Sequence, residues 1–148
     1  MIGDGSSGCG CCGGGCEEVS GMKGRTINPG RAEGEAIVSR EPIGFYGGID
    51  PKTGIVIEQG HELEGQCVTG KILVFPQGKG STVGSYVVYG LNANGVGPSA
   101  IVNAETETIV ATGVILADIP CVDGIDISQI NTGDMLIVDA TAGTVEKQ

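Results

Sequence analysis

The sequence predicts a mixed α/β domain with at least two packed layers, and three observations carry that prediction. Alternating or apolar β segments occupy the first half, and two strand-then-helix units follow in the second. The core must also be aliphatic: of 148 residues 40% are hydrophobic, only 3% are aromatic and 28 are glycine. Val, Ile, Leu and Ala are therefore packed between many tight turns, and the length suits one domain with one substantial core.

Taken in order, Arg31 to Ser39 alternates with a period of two, Ala32, Gly34, Ala36 and Val38 on one face and Glu33, Glu35 and Ile37 on the other. That is the signature of a half-buried strand. Ile43 to Gly54 reads as loop and turn, and the triplet Ile55-Val56-Ile57 as a short strand, so that most of this half is expected to be β structure. Lys71 to Phe75 is a compact apolar run of the buried-strand kind, ended by Pro76, which has no N–H for a ladder. Val83 to Leu91 carries apolar residues at helical spacing and stops at Asn92-Ala93-Asn94-Gly95, a helix-ending composition. Ser99 to Ala104 is a second buried strand. Thr106 to Asp118 is a second helix whose opening Thr106-Glu107 suits an N-cap and the helix dipole. Ile119 to Val122, a connection through Ile125 to Ile130, and a hairpin of Met135–Asp139 and Thr144–Glu146 around Ala142-Gly143 complete the domain.

Residues 1 to 21 are mostly Gly, Ser and Cys with almost nothing to bury, and are expected to form a disordered extension before a domain of residues 22–148. Met22 is a plausible alternative start. Four of the six cysteines, Cys9, Cys11, Cys12 and Cys16, lie in this leader, so the body is not a disulfide framework. Four neighbouring thiolates are soft metal ligands, yet Cys-x-Cys-Cys-x3-Cys matches neither a paired zinc site nor a common cluster run. The leader is accordingly not expected to seat a catalytic cluster.

The formal net charge of −10 argues against nucleic-acid binding, which needs clustered Lys and Arg. No window approaches the roughly 18 apolar residues of a membrane span, and no positive region precedes an apolar stretch at the N-terminus. The expected location is the cytoplasm.

Chemistry concentrates in Gly78-Lys79-Gly80-Ser81-Thr82-Val83-Gly84-Ser85, between a buried strand and a helix start. A helix N-terminus offers unpaired N–H groups and roughly half a positive charge, which favour an anion or a developing alkoxide. It is not a nucleotide-binding P-loop, because Lys79 is followed by Gly80 rather than Ser or Thr. By composition alone the loop is a tight connection in which Ser81 or Thr82 caps the next helix.

Longer motifs go further. Pro29-Gly30-Arg31-Ala32-Glu33-Gly34-Glu35-Ala36, Phe45-Tyr46-Gly47-Gly48-Ile49-Asp50-Pro51-Lys52-Thr53-Gly54, His61-Glu62-Leu63-Glu64-Gly65, and Gly70-Lys71-Ile72-Leu73-Val74-Phe75-Pro76 leading into Gly80 to Ser85 follow one another. From about Lys23 onward the chain resembles the small subunit of aconitase X. The resemblance implies a swivelling β/β/α domain, equivalent to the mobile fourth domain of aconitases. It implies a heterodimer with a large catalytic subunit that carries a 4Fe–4S iron–sulfur cluster, with none bound by this chain. The implied activity is that of a hydro-lyase, active only with the large subunit. In archaeal members it removes water from mevalonate 5-phosphate, a phosphorylated hydroxy acid, to give trans-anhydromevalonate 5-phosphate for isoprenoid synthesis; another hydroxy acid such as a hydroxyproline is the alternative substrate. Ser81 matches the family's proton-accepting serine, with Gly80, Thr82, Gly84 and Ser85 as the substrate-binding loop. Ordinary aconitases follow that serine with a second serine and an arginine, where this chain has Thr82 and Val83, so carboxylate recognition by that arginine does not carry over.

Four other candidates have simpler readings. His61, the one histidine, raises a phosphohistidine carrier as the runner-up, but its acidic surroundings suit a surface or hydrogen-bonding role. Glu33 and Glu35 fit a solvent-facing row better than an acid/base pair. Asp50 before Pro51 suits a turn bond. Cys67 and Cys121 are expected to be small buried hydrophobes.

Overall fold

Residues 21–148 are described by a computed structural model. The chain runs β1 (Gly21–Lys23), β2 (Arg25–Asn28), β3 (Arg31–Val38), β4 (Ile72–Phe75), α1 (Gly84–Ala93), β5 (Ala100–Asn103), α2 (Thr108–Ala117), β6 (Cys121–Asp123), a 3-10 turn at Ile127–Gln129, β7 (Met135–Asp139) and β8 (Thr144–Lys147). Strand order is β1-β8-β7-β3-β4-β5-β6-β2. β3 is the joint of this arrangement. Its first five residues pair antiparallel with β7, from Arg31↔Asp139 to Glu35↔Met135, and its last three pair parallel with β4, from Ala36↔Ile72 to Val38↔Val74. β4, β5 and β6 continue in parallel, and β2 closes that edge antiparallel to β6.

The burial of β3 follows from this double duty. Arg31, Glu33 and Glu35 are exposed, as the alternation requires, but from Ala36 both faces are covered. Ile37, Leu73, Phe75 and Ile101 join Val88, Leu91, Val110 and Val114 in one core against the helices. Ala36, Val38, Ile72, Val74 and Val102 join Leu136, Val138 and Val145 in a second core against the β7–β8 wing. The result is three layers, β/β/α, with apolar packing on both sides of the parallel strands. Each fully buried aliphatic or Phe side chain contributes about 1.5–3 kcal/mol.

Two expectations are corrected. Between residues 39 and 71 the chain is not mainly β structure, and Ile55–Ile57 is no strand: only isolated bridges form, Ile49↔Val56, Ile55↔Cys67 and Ile43↔Gly78. Glycines at positive φ, at 47, 54, 60, 65 and 70, turn the chain too often for a ladder to propagate. Conversely, β1 and β2 went unread in the sequence. They are three and four residues long and are held by partners far away in sequence, Met22↔Val145 and Thr26↔Val122. Gly21 opens β1, one residue before the expected boundary. Residues 1–20, with the proposed extension and with Cys9, Cys11, Cys12 and Cys16, lie outside the described residues.

Candidate functional site

The chain leaves the parallel strands at one edge of the sheet, through Ser39 and Arg40 after β3, Pro76 to Ser81 after β4, Ala104 to Glu107 after β5 and Gly124 after β6. Ligands of open α/β sheets bind at this carboxyl edge. Two helix N-termini meet it, and they differ. That of α2 is closed by its own cap: Glu107 Oε2 accepts from Ile109 N and Oε1 from Val110 N, both at 2.8 Å. Thr106 donates instead to Asn103 Oδ1 at 2.8 Å. That of α1 has no side-chain bond at its cap residue, Val83.

Ser81 sits just before the start of α1 and is exposed, and the first amides of that helix, Ser85 N and Tyr86 N, are taken by the carbonyls of Thr82 and Val83. Its Oγ accepts from Val83 N at 3.2 Å, while its carbonyl takes Gly84 N at 2.9 Å. The N–H groups of Gly80, Ser81 and Thr82 meet no acceptor among the described residues. An oxygen losing its proton here already has one backbone donor, unpaired donors nearby and the positive end of α1, each of which favours the charged form.

The other loop residues divide into two kinds. Gly80 holds φ +90° with open space where a Cβ would stand, and Thr82 is exposed. Gly84 and Ser85 face inward. A Cβ on Gly84 would lie 3.2 Å from Ile109 Cγ2, and Ser85 Oγ donates to Ile109 O at 3.0 Å. They fasten the start of α1 to α2, so the structure gives Ser85 a helix–helix bond in place of an open face toward a ligand.

The floor of the loop is the 43–58 segment. Lys79 N donates to Ile43 O at 3.0 Å, and Lys79 Nζ meets Glu58 Oε2 at 2.9 Å. Tyr46, in the same segment and 64% exposed, has its backbone nitrogen 3.6 Å from where a Cβ on Gly84 would stand. The ion pair is a site feature that the sequence reading did not single out.

The remaining candidates fall elsewhere. His61 is buried, Nδ1 accepting from Leu63 N at 3.0 Å and Nε2 lying 3.1 Å from Pro42 O. With both ring nitrogens engaged, it is a structural hydrogen-bonding residue and does not present a nucleophile. Asp50 Oδ1 accepts from Lys52 N at 2.9 Å, the expected turn bond. Glu33 and Glu35 are exposed partners of Arg31 and Lys71. Cys121 is buried, which pushes its thiol up to about 12, but Cys67 is exposed, against expectation. It lies where an isolated bridge, too short to bury it, joins it to Ile55.

A second polar group at this edge was not foreseen. Arg25 Nε and Nη2 contact Asp123 Oδ1 and Oδ2 at 3.0 and 2.8 Å, and Thr106 N donates to Asp123 Oδ2 at 2.9 Å. Burial pushes the Asp123 carboxyl up, but these donors and the Arg25 charge outweigh it and hold it below its ordinary 3.8. Arg25 and Asp123 are 98 residues apart, and no local pattern links them.

Among the described residues no three His, Cys, Asp or Glu side chains come together as metal ligands, so these residues do not fit an iron–sulfur cluster. Nor is any described helix long and apolar enough to cross a membrane.

Residues 21–147 match the aconitase X swivel domain family. The phosphomevalonate dehydratase small subunit of Thermococcus kodakarensis is 58% identical over 125 residues, 84% of this chain and 94% of that one. The protein of the same name from Methanosarcina acetivorans is 54% identical over 128 residues, covering 84% and 89%. The crystal structure of Thermococcus kodakaraensis aconitase X in its holo-form superposes with a TM-score of 0.86 at 57% identity, covering 86% of this chain and 98% of that one.

Proposed function

The chain belongs to the aconitase X swivel domain family, and from that premise we propose that it is the small subunit of a phosphomevalonate dehydratase in which Ser81 is the catalytic base. The reaction converts mevalonate 5-phosphate to trans-anhydromevalonate 5-phosphate and water, and the enzyme works in the cytoplasm as a heterodimer. In this reading the large subunit carries the 4Fe–4S cluster; among the described residues of this chain no three metal-ligating side chains come together. Such a cluster supplies a Lewis acid for the departing hydroxyl.

The observation that carries the reading is the exposed Ser81 hydroxyl just before the N-terminus of α1, with Val83 N–H on its Oγ. Dehydration needs a base for the weakly acidic C–H next to the substrate carboxylate. The Ser81 alkoxide takes that proton on Oγ, the C–H electron pair becomes the new C=C bond, the C–O bond breaks with its pair on the β-oxygen, and that oxygen leaves as water on taking one proton from solvent, which the Ser81 hydroxyl later gives back. Free serine is far too basic to ionise near neutrality, so the alkoxide depends on fixed donors and charge. Val83 N–H already points at Oγ, and the N–H groups of Gly80 to Thr82 meet no acceptor among the described residues. Gly80 and Thr82 are then the residues of this loop that face substrate, with Gly84 and Ser85 positioning them.

Reconstitution with the large subunit tests this. Ser81→Ala is expected to lower turnover of mevalonate 5-phosphate by roughly 10²–10⁴-fold, with the complex and the visible absorbance of the cluster retained. Undiminished turnover removes Ser81 as the base, and turnover of a hydroxyproline instead of mevalonate 5-phosphate reassigns the substrate.

A further inference from the structure

Ser81 belongs to an arch of chain with two feet. Among the described residues, 80–82 hydrogen-bond only to residues just ahead of them: Ser81 O takes Gly84 N, Thr82 O takes Ser85 N, and Ser81 Oγ takes Val83 N. The would-be Cβ of Gly80 meets nothing within 4 Å. One foot of the arch is therefore the start of α1. The other is Lys79, the only charged residue from Pro76 to Ser85.

Lys79 stands on a fixed platform. Phe45 and Phe75, both buried, meet edge to face at 5.8 Å and tie the 43–58 segment to the end of β4. Ile43 N donates to Gln77 O at 3.2 Å, and Lys79 N to Ile43 O. The Lys79 side chain then runs over Gly44, where a Cβ would lie 3.5 Å from its Cγ and 3.6 Å from its Cε, and ends on the Glu58 carboxylate. Glu58 is itself fastened down, since Ile57 N and Glu58 N both donate to Gly48 O. An exposed ion pair adds little to global stability, and these two side chains are 46% and 30% exposed. Its geometric effect is larger, because a catalytic group displaced by about 1 Å can lose about 10²-fold in rate.

We propose that Lys79 is a positioning residue for proton abstraction: its ion pair with Glu58 fixes the near foot of the arch, and through it the place of Ser81 Oγ. The inference rests on Ser81 being the base, as proposed above. The Lys79 ammonium is engaged by a carboxylate of this chain, so Lys79 and Glu58 act as a unit, and either change opens the same clamp.

In the enzyme reconstituted with its large subunit, Lys79→Met and Glu58→Gln are each expected to lower kcat by roughly 10- to 10²-fold with KM within about twofold. The double variant is expected to fall no further than either single one, as partners in one interaction do. Lys79→Arg, which still meets Glu58, is expected to keep kcat within about threefold of the parent. NMR relaxation of the full-length chain gives a reading independent of turnover: the backbone order parameters of Gly80 to Thr82 are expected to fall from about 0.85 toward about 0.6 in Lys79→Met and in Glu58→Gln. Undiminished kcat in Glu58→Gln overturns the proposal, because the ammonium then works without its partner. A rise in KM with kcat kept in Lys79→Met does the same, since that is loss of substrate binding and not of positioning. Order parameters that stay at the parent values in both variants also overturn it. Turnover kept in Ser81→Ala, with the order parameters lowered as expected, sinks the base assignment and leaves the clamp standing.

Discussion

At the scale of single residues, Gly80 and Ser81 divide one task. Gly80 takes φ +90°, a left-handed conformation that costs other residues roughly 1–2 kcal/mol, and this turn carries Ser81 to the exposed end of α1. Because open space surrounds the would-be Cβ of Gly80, Gly80→Ala acts through strain alone. A loss of about 1–2 kcal/mol in urea-unfolding free energy is expected, together with a larger proportional drop in turnover as Oγ is displaced. Turnover that falls no further than stability predicts would mean that the loop tolerates another shape. Much at this scale was legible in sequence: Ser81 between strand and helix, the Asp50 turn bond, the solvent-facing Glu33 and Glu35. The exposure of Cys67 and the inward turn of Ser85 were not, because each depends on neighbours that no local pattern specifies.

At the scale of elements, the close approach of α1 and α2 is set by glycine. Gly113→Ala places a methyl 2.8 Å from Val88 Cβ; overpacking costs about 1–3 kcal/mol, against a gain of up to about 1 kcal/mol in helix propensity. The net expectation is destabilisation of roughly 1 kcal/mol. Gly90→Ala has the opposite sign. Its Cβ would stand at an ordinary 3.6 Å from Pro51, so the propensity gain of about 0.5–1 kcal/mol survives. Urea midpoints that shift the same way for both variants would refute this account of the packing. Elements with strong periodicity or continuous apolar runs, β3, β4, β5, both helices and the β7–β8 hairpin, were readable within a few residues. β1 and β2 were not, since strands of three or four residues owe their existence to distant partners.

At the scale of the whole molecule, the Arg25–Asp123 pair ties the β2 edge strand to β6, the last parallel strand. Asp123, Asp126 and Asp134 are all held below the ordinary 3.8. For a lowered carboxyl the stabilisation is complete above 3.8 and is lost as pH falls from there toward the folded-state value. Arg25→Met is therefore expected to lower the melting temperature at pH 7, with the gap to the parent narrowing below pH 3.8. A gap that persists unchanged in acid would assign Arg25 a packing role only. The amino-acid sequence by itself determined the layered α/β class and the strand–loop–helix setting of Ser81, because these follow from periodicity and local composition. Tertiary structure alone decided that β3 serves two sheets, that α2 takes a side-chain cap from Glu107 where the Val83 cap of α1 has none, and that Ser85 is turned inward onto α2. Those outcomes depend on contacts between segments far apart in the chain, whose geometry is settled only when the two cores close around the parallel strands.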